Sequence, residues 1–234
     1  LTTNGSLLKK FAKDLKKNGI DRINVSLDTI IKEKYKEITR FGDLDNVLEG
    51  IEEAIKNNIK IKINTVVFKN FNENQITDLI NWSNKKLLDL TFIEVMPMND
   101  TDMPRHMQFV SLDKIFEDLN KKFKFNRSDH RTGGPSNYYT SEKLNIKIGF
   151  ITPLSNNFCS TCNRVRLSST GKLYMCLGQN EYVDFREMLR NDRGNDYIKE
   201  KIKFALSIKP KKHDFIINSE IKPYISRHMN ETGG

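Results

Sequence analysis

The feature that most constrains the fold of this sequence is a regular alternation of helix-like and strand-like segments through roughly its first hundred residues. Three segments with helical spacing of apolar residues alternate with three strand-like segments, in the order Ser6–Asn18, Arg22–Asp28, Leu44–Asn57, Ile59–Phe68, Gln75–Lys85 and Leu90–Met96. No hairpin signal lies between the strands, so helical crossovers must connect them. The pattern therefore predicts an α/β fold around a parallel sheet.

The number of strand ends indicates part of a barrel. They fall near Thr2, Ser26–Asp28, Asn64–Val66 and Met96, which is the count expected for half to two-thirds of a barrel. Before its first helix the chain offers only Leu1–Gly5, which resembles the tail of a strand. We therefore expect the rest of that strand to lie upstream of Leu1.

The second half of the sequence follows a different pattern. Prolines and aspartates interrupt the alternation over Pro97–Pro104 and indicate a connection. Beyond it the sequence predicts a helix, a loop, a short strand and two further helices, at Leu112–Phe123, Asp129–Asn137, Lys147–Ile151, Phe185–Arg190 and Tyr197–Ser207. We therefore expect two domains, with residues 1–104 forming the barrel part and residues 105–234 forming a smaller α+β domain.

Polar residues within the predicted strands allow two interpretations. Lys60 and Lys62 fit a solvated sheet edge, where lysines are common. Alternatively they point, with Asn24, Ser26 and Asn64, into a barrel whose C-terminal rim binds a polar ligand. Periodicity alone does not choose between the two.

Charge and hydropathy narrow the class of protein. There are 39 Lys and Arg against 30 Asp and Glu, a formal charge of +9, and no apolar run is long enough to cross a bilayer. The charge fits a polyphosphate ligand or nucleic acid, but the lysines are spread along helices, and basic and aromatic residues are not interleaved. We therefore expect a cytoplasmic protein without a nucleic-acid or membrane partner.

The strongest chemical signal is a window of three cysteines. Cys159 and Cys162 are three positions apart, and a predicted hairpin from Val165–Ser168 to Leu173–Cys176 can return Cys176 to the same place. An odd cysteine count in a chain without an export signal argues against disulfides. The window therefore predicts a metal site, the alternative being three buried core cysteines.

Three thiolates leave the identity of that metal open. Structural zinc needs four ligands, and His130 or His213 would have to supply the fourth from elsewhere in the chain. An iron–sulfur cluster also normally takes four cysteines, so three would leave one iron open to a substrate. The absence of a histidine inside the window favours the cluster.

Two arginines follow the second cysteine. Arg164 and Arg166 are two positions apart, so on a strand their side chains would lie on the same side. Paired guanidinium groups beside a metal suit a phosphate or purine substrate, because each offers a rigid fork of donors. The alternative is a pair of solvated strand charges.

Several segments together are typical of one family. They are Thr2–Gly5, Val25–Asp28, Lys62–Thr65, Phe92–Met96, Phe158–Arg166, Gly171–Leu173, Cys176–Leu177 and the final Gly233–Gly234. In this order and spacing they resemble the molybdenum cofactor biosynthesis protein A family, radical SAM enzymes that act as GTP 3',8-cyclases. The resemblance covers nearly the whole chain, and its cysteine and arginine segment is the most specific part.

The resemblance implies a partial radical SAM barrel, similar to a TIM barrel, followed by a C-terminal iron–sulfur domain. By position, it implies that GTP is bound by Thr2, Lys62, Arg164, Val165 and Arg166. It also implies that Ser26 and Met96 contact S-adenosylmethionine, and that the Gly233–Gly234 tail enters the pocket.

The resemblance further implies that Cys159, Cys162 and Cys176 hold a four-iron four-sulfur cluster whose open iron binds the guanine. The radical SAM cluster needs a Cys-x3-Cys-x2-Cys motif, which this sequence does not contain. We therefore expect that second cluster in a missing N-terminal part, and we expect the chain to be inactive as an isolated fragment.

The expected partners are GTP, the downstream cyclic pyranopterin monophosphate synthase, and a second copy of the chain in a homodimer. Two alternative functions stay open. One is a zinc-stabilised module that binds nucleic acid or protein, and the other is a different radical SAM enzyme with auxiliary clusters.

Overall fold

The structure, a computed structural model, describes residues 1–98, 105–191, 193–215, 225, 227 and 229–232. The chain forms two compact units, Leu1–Val95 with Phe109–Ser155 and Met96–Gln108 with Asn156–Gly234. These units differ from the predicted domains 1–104 and 105–234, because residues 109–155 contribute strands to the sheet of the first unit. A functional division at residue 104 stays a prediction.

The secondary structure comprises ten strands and eight α-helices among the described residues. The strands are β1 (Thr2–Thr3), β2 (Arg22–Ser26), β3 (Lys60–Val67), β4 (Asp89–Glu94), β5 (Asn126–Arg127), β6 (Asn137–Ser141), β7 (Leu144–Ile151), β8 (Arg166–Leu167), β9 (Lys172–Tyr174) and β10 (Tyr182–Asp184). The helices are α1 (Leu8–Lys17), α2 (Lys32–Thr39), α3 (Leu44–Lys56), α4 (Ile76–Lys85), α5 (Arg105–Gln108), α6 (Leu112–Phe123), α7 (Arg186–Arg190) and α8 (Asn195–Ser207).

The first unit is built on a seven-stranded sheet in the order β1-β2-β3-β4-β7-β6-β5. Neighbouring strands from β1 to β4, and β4 with β7, pair in parallel, whereas β6 and β5 add an antiparallel edge. The predicted α/β fold with a mostly parallel sheet is therefore confirmed. Closure of these strands into a barrel stays a prediction.

One face of this sheet forms the hydrophobic core with the helices. Buried apolar residues alternate along β2 and β3, as Ile23 and Val25 do in β2. They join one apolar cluster with the buried residues of α1, α3, α4 and α6, among them Ala12, Ile51, Leu79 and Leu119. The helices therefore cover this face, and residues of opposite parity lie on the other one.

The position of β3 resolves the two interpretations of its lysines. β3 pairs with β2 on one side and with β4 on the other, so it is an interior strand and the sheet-edge interpretation is wrong. Lys60 is exposed at the start of β3, whereas Lys62 is half-buried within it. Lys62 therefore lies in the sheet, on the face opposite the helices.

The second unit contains a small antiparallel sheet in the order β10-β9-β8. The predicted hairpin between β8 and β9 is confirmed, and its turn uses Gly171 at φ +82°. A Cβ at Gly171 would lie 3.0 Å from Cβ of Arg186, so both the left-handed backbone and the close approach of α7 favour glycine there. Parts of Pro97–Pro104 and the whole Gly233–Gly234 tail lie outside the described residues.

The longest helices that the structure describes, α3 and α8, have 13 residues each. Within the described part of the chain, none of the helices meets the length and hydropathy of a membrane span.

Candidate functional site

The strand register of the first unit brings three of the predicted binding residues onto one sheet face. Thr2 pairs with Asn24, and Asn24 pairs with Lys62, so these residues form one row across β1, β2 and β3. Ser26 lies in the next row, where it pairs with Asn64. Because paired residues share a face, Thr2, Ser26 and Lys62 lie together on the face opposite the helices.

The second row continues across the sheet. Asn64 pairs with Thr91, Thr91 with Gly149, and Gly149 with Tyr138, so the row extends through β3, β4, β7 and β6. A Cβ at Gly149 would overlap the hydroxyl of Ser136 and lie 2.7 Å from Oγ1 of Thr91. Glycine at this position therefore lets several polar side chains converge on one part of the sheet.

Some of these polar groups are buried without a partner. Among the described residues, nothing hydrogen-bonds to Oδ1 of Asn24, Oδ1 of Asn64 or Oγ of Ser136. A buried polar atom left without a hydrogen bond costs free energy, and native proteins rarely leave several of them together. These atoms lie on the same sheet face as Lys62, which makes the face a candidate for binding a polar ligand.

Lys62 is a half-buried cation on this face, and it has a protein partner. Its Nζ donates a hydrogen bond to Oη of Tyr138 at 3.2 Å, and Tyr138 is only 1% exposed. Burial acts to raise the pKa of Tyr138, but a hydrogen bond with Thr132 and the charge of Lys62 outweigh it, and the pKa is lowered overall. The face therefore carries a fixed positive charge next to a buried phenol.

Asp28 lies just beyond the carboxyl end of β2 and has an enclosed carboxyl group. Burial raises its pKa to about 6, although Oδ1 accepts a hydrogen bond from the backbone N–H of Val66 at 2.8 Å. Its own carbonyl oxygen accepts from Nδ2 of Asn72 at 2.8 Å. The hydrogen bond from Val66 anchors the end of β2 to β3, but it does so with an acidic group whose ionised form is disfavoured by burial.

We expect Asp28→Asn to stabilise the first unit at high pH. The native state binds the proton of Asp28 more tightly than the unfolded state, so this group lowers the free energy of unfolding as pH rises through about 4 to 6, by roughly 2–3 kcal/mol in total. Urea unfolding followed by Trp82 fluorescence should show a larger gain from the substitution at pH 8 than at pH 5. The exposed Asp14→Asn is the control, and an equal gain at both pH values would contradict the prediction.

The second unit holds all three cysteines, and none of them forms a disulfide. Cys159 begins a short 3-10 turn, Cys159–Thr161, and the backbone N–H of Cys162 donates to the carbonyl of Cys159 at 3.2 Å. Cys176 follows β9. Burial raises the pKa of Cys176, the nearby Cys159 and Cys162 add to that effect, and Lys209 acts against it. Cys159 and Cys162 therefore lie near enough to act on the thiol of Cys176. The predicted gathering of the three thiols around one metal stays a prediction.

The three cysteine thiols were predicted to bind either zinc or an iron–sulfur cluster. Within the described ranges, no group of three or more His, Cys, Asp or Glu residues is arranged so that it could hold a metal ion, and this includes the three cysteines. His213 lies in the same unit, but its Nδ1 accepts a hydrogen bond from the N–H of Phe215 at 3.2 Å. The chemistry of three half-buried thiols beside cationic side chains suits an iron–sulfur cluster, because iron in such clusters prefers thiolate ligands.

The predicted GTP-binding residues of this unit follow Cys162 directly. Arg166 opens β8, whereas Arg164 precedes the strand and Val165 between them is 37% exposed. The expectation that both arginines lie on a strand is therefore met only by Arg166. Burial lowers the pKa of Arg166, and the charge of Arg164 adds to that effect.

Two basic residues that sequence reasoning missed brace the cysteine segment. Lys209 donates to the carbonyl of Arg164 at 2.8 Å and to the carbonyl of Met175 at 2.7 Å. Lys209 thereby links the segment after Cys162 to the residue before Cys176. No local pattern around Lys209 signals this, because both acceptors are backbone carbonyls more than thirty positions away.

Arg227 braces the loop that follows Cys176. It is 7% exposed, and it donates to the carbonyls of Leu177 at 3.1 Å and Gln179 at 2.7 Å. Its guanidinium also stacks on the ring of Tyr174, 4.0 Å from the centroid. Met96, which was predicted to contact S-adenosylmethionine, also belongs to the second unit.

Comparison with known proteins assigns both parts of the chain. Residues 1–83 match the Radical SAM superfamily and residues 88–215 match Molybdenum Cofactor Synthesis C. GTP 3',8-cyclases of Brucella ovis and Brucella canis are 48% identical to this chain over 235 aligned positions, covering 100% of it and 68% of each relative.

Among solved structures, native anSMEcpe with bound AdoMet and Cp18Cys peptide gives a TM-score of 0.40 at 21% identity, covering 53% of this chain and 36% of that one. Native anSMEcpe with bound AdoMet gives a TM-score of 0.39 at 20% identity, covering 52% of this chain and 37% of that one. The sequence matches extend over the whole chain at much higher identity, and by them the chain belongs to the GTP 3',8-cyclase family of radical SAM proteins.

Proposed function

We propose that this chain carries the GTP-binding and auxiliary-cluster machinery of a GTP 3',8-cyclase in molybdenum cofactor biosynthesis. The reaction converts GTP to (8S)-3',8-cyclo-7,8-dihydroguanosine 5'-triphosphate with S-adenosylmethionine. The observation that carries the proposal is the 48% identity over the whole chain to proteins named GTP 3',8-cyclase. The conjunction of three free thiols with two arginines in the second unit supports it.

In the first unit, Thr2 and Lys62 would bind GTP and Ser26 would bind S-adenosylmethionine. In the second unit, Met96 would bind S-adenosylmethionine. The strand register supports the first three assignments, because it sets Thr2, Ser26 and Lys62 on one face. Lys62 supplies a positive charge suited to a phosphate oxygen, while the unpartnered Asn24 and Asn64 offer acceptors for hydroxyl or amino groups.

In the second unit, Cys159, Cys162 and Cys176 would hold a four-iron four-sulfur cluster. When bound with three protein ligands, such a cluster offers one iron with an open position for the guanine. Arg164 and Arg166 would bind GTP through their forked donors, and Val165 would contact the same ligand. Lys209 orients this segment, because it fixes the carbonyl of Arg164 and the residue before Cys176.

The sequence contains only three cysteines, so it has no Cys-x3-Cys-x2-Cys motif for a radical SAM cluster. We therefore propose that this chain alone binds GTP but does not complete the cyclisation. We further propose that the protein is cytoplasmic and forms a homodimer. Its product would pass to cyclic pyranopterin monophosphate synthase.

The test is GTP binding to the chain after anaerobic reconstitution with iron and sulfide, measured by calorimetry. We expect Arg166→Ala to weaken GTP binding by roughly tenfold to a hundredfold, because a charge-assisted contact is lost. Arg190→Ala in α7 is the matched control and should leave the affinity unchanged. Absence of GTP binding to the reconstituted chain, or equal affinities for the two variants, would contradict the proposal.

Metal analysis of the same sample distinguishes the proposed cyclase from the alternative function, a zinc-stabilised binding module. Iron and sulfide in equal amounts support the cluster. Stoichiometric zinc without sulfide, and binding of nucleic acid in place of GTP, would favour the module instead.

A further inference from the structure

We infer that Tyr138 is a positioning residue that fixes the ammonium group of Lys62 for an anionic group of GTP. The inference rests on the proposed function, since it concerns how one of its GTP-binding residues is held. Nothing in the sequence motifs points to Tyr138, which lies in β6 just after the loop that joins β5 to β6.

The contacts of the Tyr138 hydroxyl carry the inference. Oη accepts a hydrogen bond from Nζ of Lys62 at 3.2 Å and lies 3.2 Å from Oγ1 of Thr132. A lysine ammonium has three donors and no acceptor, so one donor satisfies Tyr138 and the others stay available to a ligand. The phenol therefore holds the ammonium in place without neutralising its charge.

The ring of Tyr138 is itself held firmly. It packs edge-to-face on His130, with centroids 4.8 Å apart, and its Cε1 lies 3.0 Å from where a Cβ at Gly149 would be. With 1% exposure, the ring has little freedom to move. Thr132 and His130 belong to one loop, so Tyr138 also links that loop to Lys62.

This arrangement matters because lysine is flexible. A free lysine side chain loses rotamer freedom when it binds a ligand, and that loss weakens binding. Tyr138 fixes the side chain before the ligand arrives, so less freedom remains to be lost. Burial acts to raise the pKa of Tyr138, whereas Thr132 and Lys62 lower it, as expected when donors lie next to the hydroxyl oxygen.

The test compares two adjacent tyrosines on opposite faces of β6. Tyr138→Phe removes only the hydroxyl, and we expect it to weaken GTP binding to the reconstituted chain by about fivefold to tenfold. Tyr139 pairs with Ile148 and packs on Phe116 on the helix-covered face, so Tyr139→Phe should leave GTP affinity unchanged. Equal GTP affinities for the Tyr138→Phe variant and the unmodified chain would overturn the inference.

A double-mutant cycle with Lys62→Met separates positioning from a general structural effect. We expect Tyr138→Phe to have no further effect on GTP affinity once Lys62 is replaced, because its role acts through that ammonium. An undiminished effect in the Lys62→Met background would overturn the inference. If Lys62→Met alone leaves GTP affinity unchanged, both the proposed role of Lys62 and the inference about Tyr138 are wrong. If Lys62→Met weakens GTP binding but Tyr138→Phe does not, only the inference about Tyr138 is wrong.

Discussion

Replacing Glu94 by alanine is expected to lower the free energy of unfolding of the first unit by about 3 kcal/mol or more. Glu94 ends β4 and is 0% exposed. Oε1 accepts from the N–H of Leu112 at 3.2 Å and from the hydroxyl of Ser155, while Oε2 accepts from the N–H groups of Leu154 at 2.9 Å and Ser155 at 3.1 Å. One buried carboxylate therefore satisfies four donors from two distant parts of the chain.

The physical reason for a large effect is that alanine leaves those donors without an acceptor. Leu112 is the first residue of α6, so its N–H is one that no helix carbonyl can satisfy, and a negative charge there also interacts favourably with the helix dipole. Leu154 and Ser155 follow β7, so Glu94 joins the start of α6 to the end of β7. Loss of the carboxylate loosens both attachments at once.

The measurement is urea unfolding followed by fluorescence of Trp82, which lies in α4 of the first unit. The control is Glu49→Ala. Glu49 has a side chain that is 58% exposed and pairs with Lys9 at 2.7 Å. A surface pair of this kind contributes at most about 1 kcal/mol. Similar losses for Glu94→Ala and Glu49→Ala would contradict the prediction.

The regular part of the fold was predictable from periodicity. The alternating segments gave α1, α3, α4, β2, β3 and β4 within a few residues, because each buries one face against a sheet or helix. Helix α2 was not predicted, since only Tyr35 among its eight residues is buried and no apolar stripe marks it. The antiparallel edge β5–β6 was missed because β5 has two exposed residues and no strand pattern.

The candidate site was predictable only where its residues lie close together in the sequence. The three cysteines and the hairpin at Gly171 are close in sequence, so spacing was enough to predict that they gather. Glu94, Tyr138 and Lys209 act through partners 18 to 76 positions away, and no local pattern records such contacts. Their roles follow from the tertiary structure alone.

Replacing Cys176 by serine is expected to prevent assembly of the iron–sulfur cluster that we propose for the second unit. A cluster with three protein thiolates holds about four irons and four sulfides per chain. Serine keeps the size of the side chain, but its oxygen is a much harder ligand than a thiolate, and two thiolates are then left. Iron and sulfide after anaerobic reconstitution should fall below about one per chain. The absorbance of the cluster should disappear with them, as should the electron paramagnetic resonance signal of the chemically reduced cluster.

A matched control lies between the other two cysteines. Ser160 is exposed within the Cys159–Thr161 turn, so Ser160→Ala should retain the full iron and sulfide content. GTP binding should weaken in Cys176→Ser, because the open iron that would receive the guanine is lost, while the contacts proposed for Arg164 and Arg166 should leave a residual affinity. Unchanged iron and sulfide in Cys176→Ser would contradict the assignment of this residue as a ligand. Equal losses in Cys176→Ser and Ser160→Ala would show that the segment merely unfolds.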